Sequence, residues 1–152
     1  MSSTTPSVSV MRYLMPSLEH ATVAQAMTRG VLSCEASATL REVARMMADR
    51  HVHCVVVMGL SQDEQSKRLV WGVISDLSLV RAGVRKGTDE LAGAHAEQPI
   101  ITVEPSMPLR EAAELMLARG VSHLLVVEPE LQHPVGILST SDIAGALAWG
   151  EA

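Results

Sequence analysis

Three hydroxyl side chains and a carboxylate stand in a row, Ser139-Thr140-Ser141-Asp142, directly after the short apolar run 135–138. Hydroxyl groups beside a helix N-terminus donate to anions. The unpaired N–H groups and partial positive charge of that terminus favour phosphate in the same place. A carboxylate repels phosphate but accepts two hydrogen bonds well, as from a ribose diol. Phosphate donors beside a diol acceptor point to a nucleotide. The same four residues have a purely structural reading, in which Ser139 and Asp142 form a capping box with Asp in place of Glu. The two readings are compatible, because a capping serine still presents its hydroxyl.

The elements that must position these groups follow from the pattern of apolar residues. The run 135–138 reads as a buried strand, and helical spacing begins beyond it with Ile143 and Leu147. Ser139 is the expected N-cap between them. Upstream, Leu40, Val43, Ala44, Met47 and Ala48 make one apolar helical face, opened by a capping box of Thr39 and Glu42. Leu109, Ala112, Ala113, Met116 and Leu117 repeat that spacing. Strands are expected at 31–34, 52–58, 69–74, 100–103 and 121–127. A second capping box, Thr22 with Gln25, opens a short helix through Met27. Ser75 to Ser78 starts a helix expected to end near Ala82, with 83–87 as a basic linker and a short helix over 88–96. Residues 1–9 read as a loose tail, and 10–15 as a more apolar stretch stopped by Pro16.

Composition narrows the function classes. Apolar residues make up 47% of the 152, enough for a packed interior, yet aromatics are 2% and Phe is absent. Single-stranded nucleic acid usually needs aromatic stacking platforms. A net charge of −5 without a basic stripe argues against duplex DNA. No apolar run reaches the length of a membrane span, and no signal peptide is visible. Cys34 and Cys54 make neither a disulfide framework nor a zinc site by spacing, so reduced thiols in a cytoplasmic protein are the plain reading. His51, His53 and Cys54 invite a metal, but strand alternation would split Cys54 from the two histidines. No Walker-type loop or spaced nucleophile–base pair suggests an enzyme.

The chain is also a tandem repeat. Ser106, Leu109, Arg110, Glu111, Ala113, Met116, Arg119 and Val121 match Ser37, Leu40, Arg41, Glu42, Ala44, Met47, Arg50 and Val52 at a constant offset of 69 positions. Past the following loop the offset becomes 64, where Gly136 matches Gly72 and Ser139 matches Ser75. A shorter loop between matched elements is what true repeats tolerate. Each copy reads strand–helix–strand–strand–helix, in the α/β (α+β) class. Two copies packed about a pseudo-two-fold axis would share one core, since neither buries enough alone. The expected division is a segment 1–20, a first repeat 21–83 and a second repeat 84–148 with a linker at 84–90.

The order of elements, the tandem copy, the doubled Gly-h-h-Ser-x-x-Asp type of closing motif (h is apolar) and the strand entry Arg119-Gly120-Val121-Ser122-His123-Leu124-Leu125-Val126-Val127 resemble a CBS-domain pair. The likeness spans about residues 21–148. It implies a regulatory module that binds an adenosine-containing ligand (AMP, ADP, ATP or S-adenosylmethionine) in the inter-repeat cleft and commonly forms a disc-like homodimer. It implies no required cofactor, and a separate regulated protein as partner. By the same resemblance Ser139, with Thr140 and Ser141, lies near phosphate and Asp142 holds ribose. Leu32, Val52, Ile101 and Val121 line the adenine slot, although each also reads as ordinary core. His53, Ser122 and His123 sit near the cleft mouth, where His123 gains charge at mildly acid pH. The first copy departs from the motif. It keeps Ser75, but Ser78 occupies the Asp position and Asp76 stands two residues early, a turn of about 200° on a helix. One ribose site, at Asp142, and one weakened site at Ser75, Asp76 and Ser78 are therefore expected. The alternative is a ligand-independent dimerisation or scaffold module.

Overall fold

The computed structural model describes residues 17–61, 69–97, 100–130 and 133–150. The expectations for residues 1–16 and for the loop 62–68 lie outside them. In chain order the elements are α1 (Val23–Ala26), β1 (Thr28–Arg29), β2 (Ser33–Glu35), α2 (Leu40–Arg50), β3 (Cys54–Ser61), β4 (Leu69–Ser75), α3 (Asp76–Lys86), α4 (Ala92–His95), β5 (Thr102–Val103), α5 (Leu109–Arg119), β6 (His123–Glu128), β7 (His133–Ser139) and α6 (Thr140–Trp149).

These fall into two compact units. Unit 2 is the continuous stretch 31–100, whereas unit 1 combines 1–30 with 101–152. Unit 2 holds a three-stranded sheet in the order β2-β3-β4, with β2 parallel and β4 antiparallel to β3. Unit 1 holds a four-stranded sheet in the order β1-β7-β6-β5, parallel between β5 and β6 and antiparallel elsewhere. The fourth position of unit 2 is filled by a single antiparallel bridge, Val73 with Glu97. The short segments α1–β1 and α4 thus pack with the opposite end of the sequence from their own repeat.

The helices form where capping and apolar spacing coincide. Thr39 Oγ1 accepts from Glu42 N at 3.2 Å, and Glu42 Oε2 accepts from Thr39 N at 3.3 Å, as the capping box requires. The apolar stripe of α2 buries Leu40, Val43 and Met47 against Val55, Val57 and Ile74 of its sheet. In unit 1, α5 buries Leu109, Ala112 and Met116 against Leu124, Val126 and Leu138. The N-cap position of α5 is Pro108, with no side-chain cap, and Leu109 N donates instead to Ala21 O at 2.9 Å. Both helices end on a left-handed residue, His51 (φ 54°) in α2 and Gly120 (φ 63°) in α5.

Several boundaries differ from the sequence reading. The helix expected to stop near Ala82 runs to Lys86, so most of the proposed basic linker is helical. Gly83 is tolerated inside it, and Arg85 and Lys86 suit the negative end of the helix dipole. The helix expected over 88–96 shrinks to Ala92–His95, because the backbone oxygens of Thr88 and Glu90 are taken up by the N-terminus of α2. Strand β3 begins two residues late, at Cys54, and extends to Ser61. Strands β2, β5 and β6 are shifted or shortened to Ser33–Glu35, Thr102–Val103 and His123–Glu128. The pair Thr28–Arg29, just past the short helix expected through Met27, is a strand on β7.

Candidate functional site

The terminal motif of unit 1 is built by β7 running into α6. Gly136 lies beside β1, and a Cβ there would stand 2.7 Å from Thr28 O and 2.8 Å from Met27 Sδ. Glycine is what lets β1 lie against β7 at this register. Ser139 is the N-cap of α6 and Asp142 its third residue, and together they form the capping box. Asp142 Oδ2 accepts from Ser139 N at 2.8 Å and from Ser139 Oγ at 3.1 Å. Among the described residues, Asp142 Oδ1 meets only the hydroxyl of Thr28, at 3.4 Å. A carboxylate offers about four lone-pair sites, so Oδ1 keeps acceptor capacity for further hydroxyl donors.

The strand entry is tied to the same turn. Thr140 N donates to Ser122 O at 3.0 Å, and Ser122 Oγ lies 3.0 Å from His123 Nδ1. Thr140 and Ser141 are exposed on the first turn, while Asp142 and His123 are half-buried. Unit 1 therefore gathers Ser122, His123, Ser139, Thr140, Ser141 and Asp142 around one helix N-terminus. Sequence reasoning missed Thr28, whose hydroxyl joins this group. Its signal was indirect, since a Gly inside a buried strand marks a close backbone approach.

Unit 2 carries the corresponding turn with different chemistry. Ser78 is buried and replaces the carboxylate in the box, with Ser75 N donating to its Oγ at 2.7 Å and its Oγ donating to Ser75 O at 3.0 Å. Asp76 turns away, as its sequence position implied. Its Oδ1 accepts from Leu77 N at 2.8 Å, and its Oδ2 lies 3.4 Å from the exposed ring of His53. Asp76 N donates to His53 O at 2.9 Å, the counterpart of the Thr140–Ser122 bond. His51 stands in a left-handed helix cap rather than on a strand, so the alternation argument does not apply to it.

The four apolar candidates keep both of their readings. Leu32 and Val52 pack against the core of unit 2, and Ile101 and Val121 against that of unit 1, each partly buried. Burial pushes the Cys34 thiol up, with the charge of Glu42 adding to it, which makes it a poor nucleophile near neutral pH. Among the described residues, no group of three or more His, Cys, Asp or Glu is placed to hold a metal ion, and no helix is long and apolar enough to cross a membrane.

The comparisons with known proteins agree with this architecture. The uncharacterised protein MK0525 of Methanopyrus kandleri is 31% identical over 124 residues, which are 80% of this chain and 60% of that one. The chain therefore spans about 60% of the length of this curated relative. The structure of the CBS domain protein PAE2072 from Pyrobaculum aerophilum, complexed with AMP, matches with a TM-score of 0.68 at 30% identity, covering 84% of this chain and 96% of that one. The CBS domain pair of protein MJ0100, in complex with 5′-methylthioadenosine and S-adenosyl-L-methionine, matches with a TM-score of 0.69 at 18% identity, over 84% and 96% of the two chains. The family model described as CBS domain matches twice, over residues 23–85 and 93–148. With both copies in place and each ending in its strand–Ser–helix turn, the chain belongs to the CBS domain family and is a tandem CBS pair.

Proposed function

We propose that the protein is a regulatory sensor that binds an adenosine-containing ligand and signals its presence to a separate protein. The observation that carries this reading is the carboxylate of Asp142. One of its oxygens secures the helix turn through Ser139, and the other makes a long contact to Thr28. A ribose hydroxyl donating to Oδ1 replaces that weak contact with a charge-assisted bond. The hydroxyls of Ser139, Thr140 and Ser141, with the N-terminal dipole of α6, favour the phosphate or other anionic end. Leu32, Val52, Ile101 and Val121 supply the apolar contacts to adenine, and His53, Ser122 and His123 the polar rim. Likeness to an AMP complex at 30% identity supports the ligand class.

The site at Ser75, Asp76 and Ser78 is weakened in this reading, because Ser78 spends its hydroxyl on the helix cap. The working form is a homodimer in the cytoplasm, and catalysis is no part of it. Signalling requires that the ligand bind one arrangement of the protein better than another. Thermal-shift and calorimetric titrations with AMP, ADP, ATP and S-adenosylmethionine test the proposal. At least one should raise the melting temperature, and Asp142→Ala should weaken its binding by about tenfold or more while the protein stays folded. No stabilisation by any of the four would favour the scaffold reading instead.

A further inference from the structure

The two closing helices differ in charge as well as in their box residue. A cavity of about 260 Å³ in unit 2 is lined by α3, by His95 of α4 and by Glu97. Arg81, Arg85 and Lys86 all face it. In unit 1 the positions matching these three, at the offset of 64, are Gly145, Trp149 and Gly150. The half without a carboxylate in its closing capping box is thus the half that carries these three cations.

These cations have no internal explanation as a set. Arg81 and Arg85 are four residues apart on one helix face, a like-charge spacing that weakens the helix. Among the described residues none of the three lies in an ion pair, although the chain is net acidic. Arg41 meets Asp89 at 2.9 Å and Arg110 meets Glu19, while Arg29, Arg45, Arg50 and Arg119 are scattered singly and, among the described residues, also lie in no ion pair. The helix dipole accounts for Arg85 and Lys86 in the last turn but not for Arg81. Glu97 is the one carboxylate on the lining, and His95 directs Nε2 to Glu90 at 3.1 Å. With His95 neutral, the lining carries two net positive charges. Ser78 borders the cavity with its hydroxyl already committed to Ser75.

We infer that this cavity is a second, separate ligand site, taking the dianionic phosphate of a small phosphomonoester through Arg81, Arg85 and Lys86. Arginine forks fit phosphate oxygens in pairs, and the charge of the lining balances a phosphate dianion. The site goes beyond the adenosine reading and does not rest on it.

Calorimetric titration of the full chain at low ionic strength tests it, with inorganic phosphate and glycerol 3-phosphate as probes. Saturable binding of either is expected. Tighter binding of the ester identifies an esterified ligand, and equal affinity identifies the phosphate group itself. The double variant Arg81→Gln, Arg85→Gln should weaken binding by about tenfold or more. Both side chains are exposed, so the fold should survive, and single Arg85→Gln serves if it does not. Saturating adenosine, which carries no phosphate, should leave phosphate binding unchanged, which separates this site from the adenosine site. Arg119→Gln, an exposed cation of unit 1 that does not line the cavity, should also leave it unchanged. Failure of both probes to saturate, or equal weakening by Arg119→Gln, would overturn the proposal.

Discussion

At the scale of single residues, the closing motif carries two loads on one side chain. Asp142 caps α6 through Oδ2, and its Oδ1, in a long contact with Thr28, is the oxygen on which the ligand proposal stands, so its removal affects stability as well as binding. Asp142→Ala should cost about 1 kcal/mol of stability through the weakened cap, read as a lower melting temperature without ligand. Asp142→Asn keeps a polar partner for Ser139 and should recover most of that loss without recovering ligand affinity. Gly136 is constrained by neighbours rather than by its own dihedral angles. Gly136→Ala forces a methyl group against the Thr28 oxygen, 2.7 Å away, and should destabilise by about 1–3 kcal/mol in a denaturant titration. Gly136 was legible in the sequence as part of a motif. Its reason was not, because the residue it protects lies far away in the chain.

At the scale of elements, the repeat compares one position in two chemistries. His51 and Gly120 both cap their helices in the left-handed region, where a side chain is strained and glycine is not. His51→Gly should therefore raise stability by roughly 1 kcal/mol, measured by chemical denaturation. A second comparison concerns the arginine early in each long helix. Arg41 Nη2 donates to Thr88 Oγ1 at 2.7 Å, and Arg110 Nε donates to Glu19 Oε1 at 2.9 Å. Each arginine pins the segment that leads into the short helix of its own unit. The Arg110 guanidinium holds the Glu19 carboxyl below its ordinary value of 4.5. A carboxyl lowered in the folded state contributes stability that is present above that ordinary value and is lost as pH falls through the lowered one. Both groups are exposed, so the effect is small and screened by salt. Glu19→Gln should flatten the acid limb of a stability–pH profile below about pH 4.5, more visibly at low ionic strength.

At the scale of the whole molecule, the sequence disclosed the repeat and the class of fold. Local signals were enough for Thr39–Glu42, for the apolar stripes of α2 and α5, and for the turn at Ser139. Elements fixed by distant partners were harder to read. Thr28 and Arg29 carry no strand pattern of their own and become a strand because β7 offers them an edge. The helix through Lys86 outlasts Gly83, which looked like a stop, because a single glycine costs only about 1 kcal/mol. The cavity beside Arg81 was invisible for a similar reason. Arg85 and Lys86 read as a linker until the chain placed them on α3 with Arg81, along a cavity that His95 and Glu97 also line.

The division of the chain into one continuous and one interrupted unit also sets an order of events during synthesis. Residues 31–100 emerge from the ribosome as a complete set of partners, so that unit can close while translation continues. The opening segment must wait, because Thr28 meets Asp142 across a separation of 114 residues. Until β7 has been made, β1 has no edge to join. The strand Thr28–Arg29 therefore stays unpaired while the whole of residues 31–100 is synthesised, and unit 1 is completed by the step that brings Thr28 to Asp142.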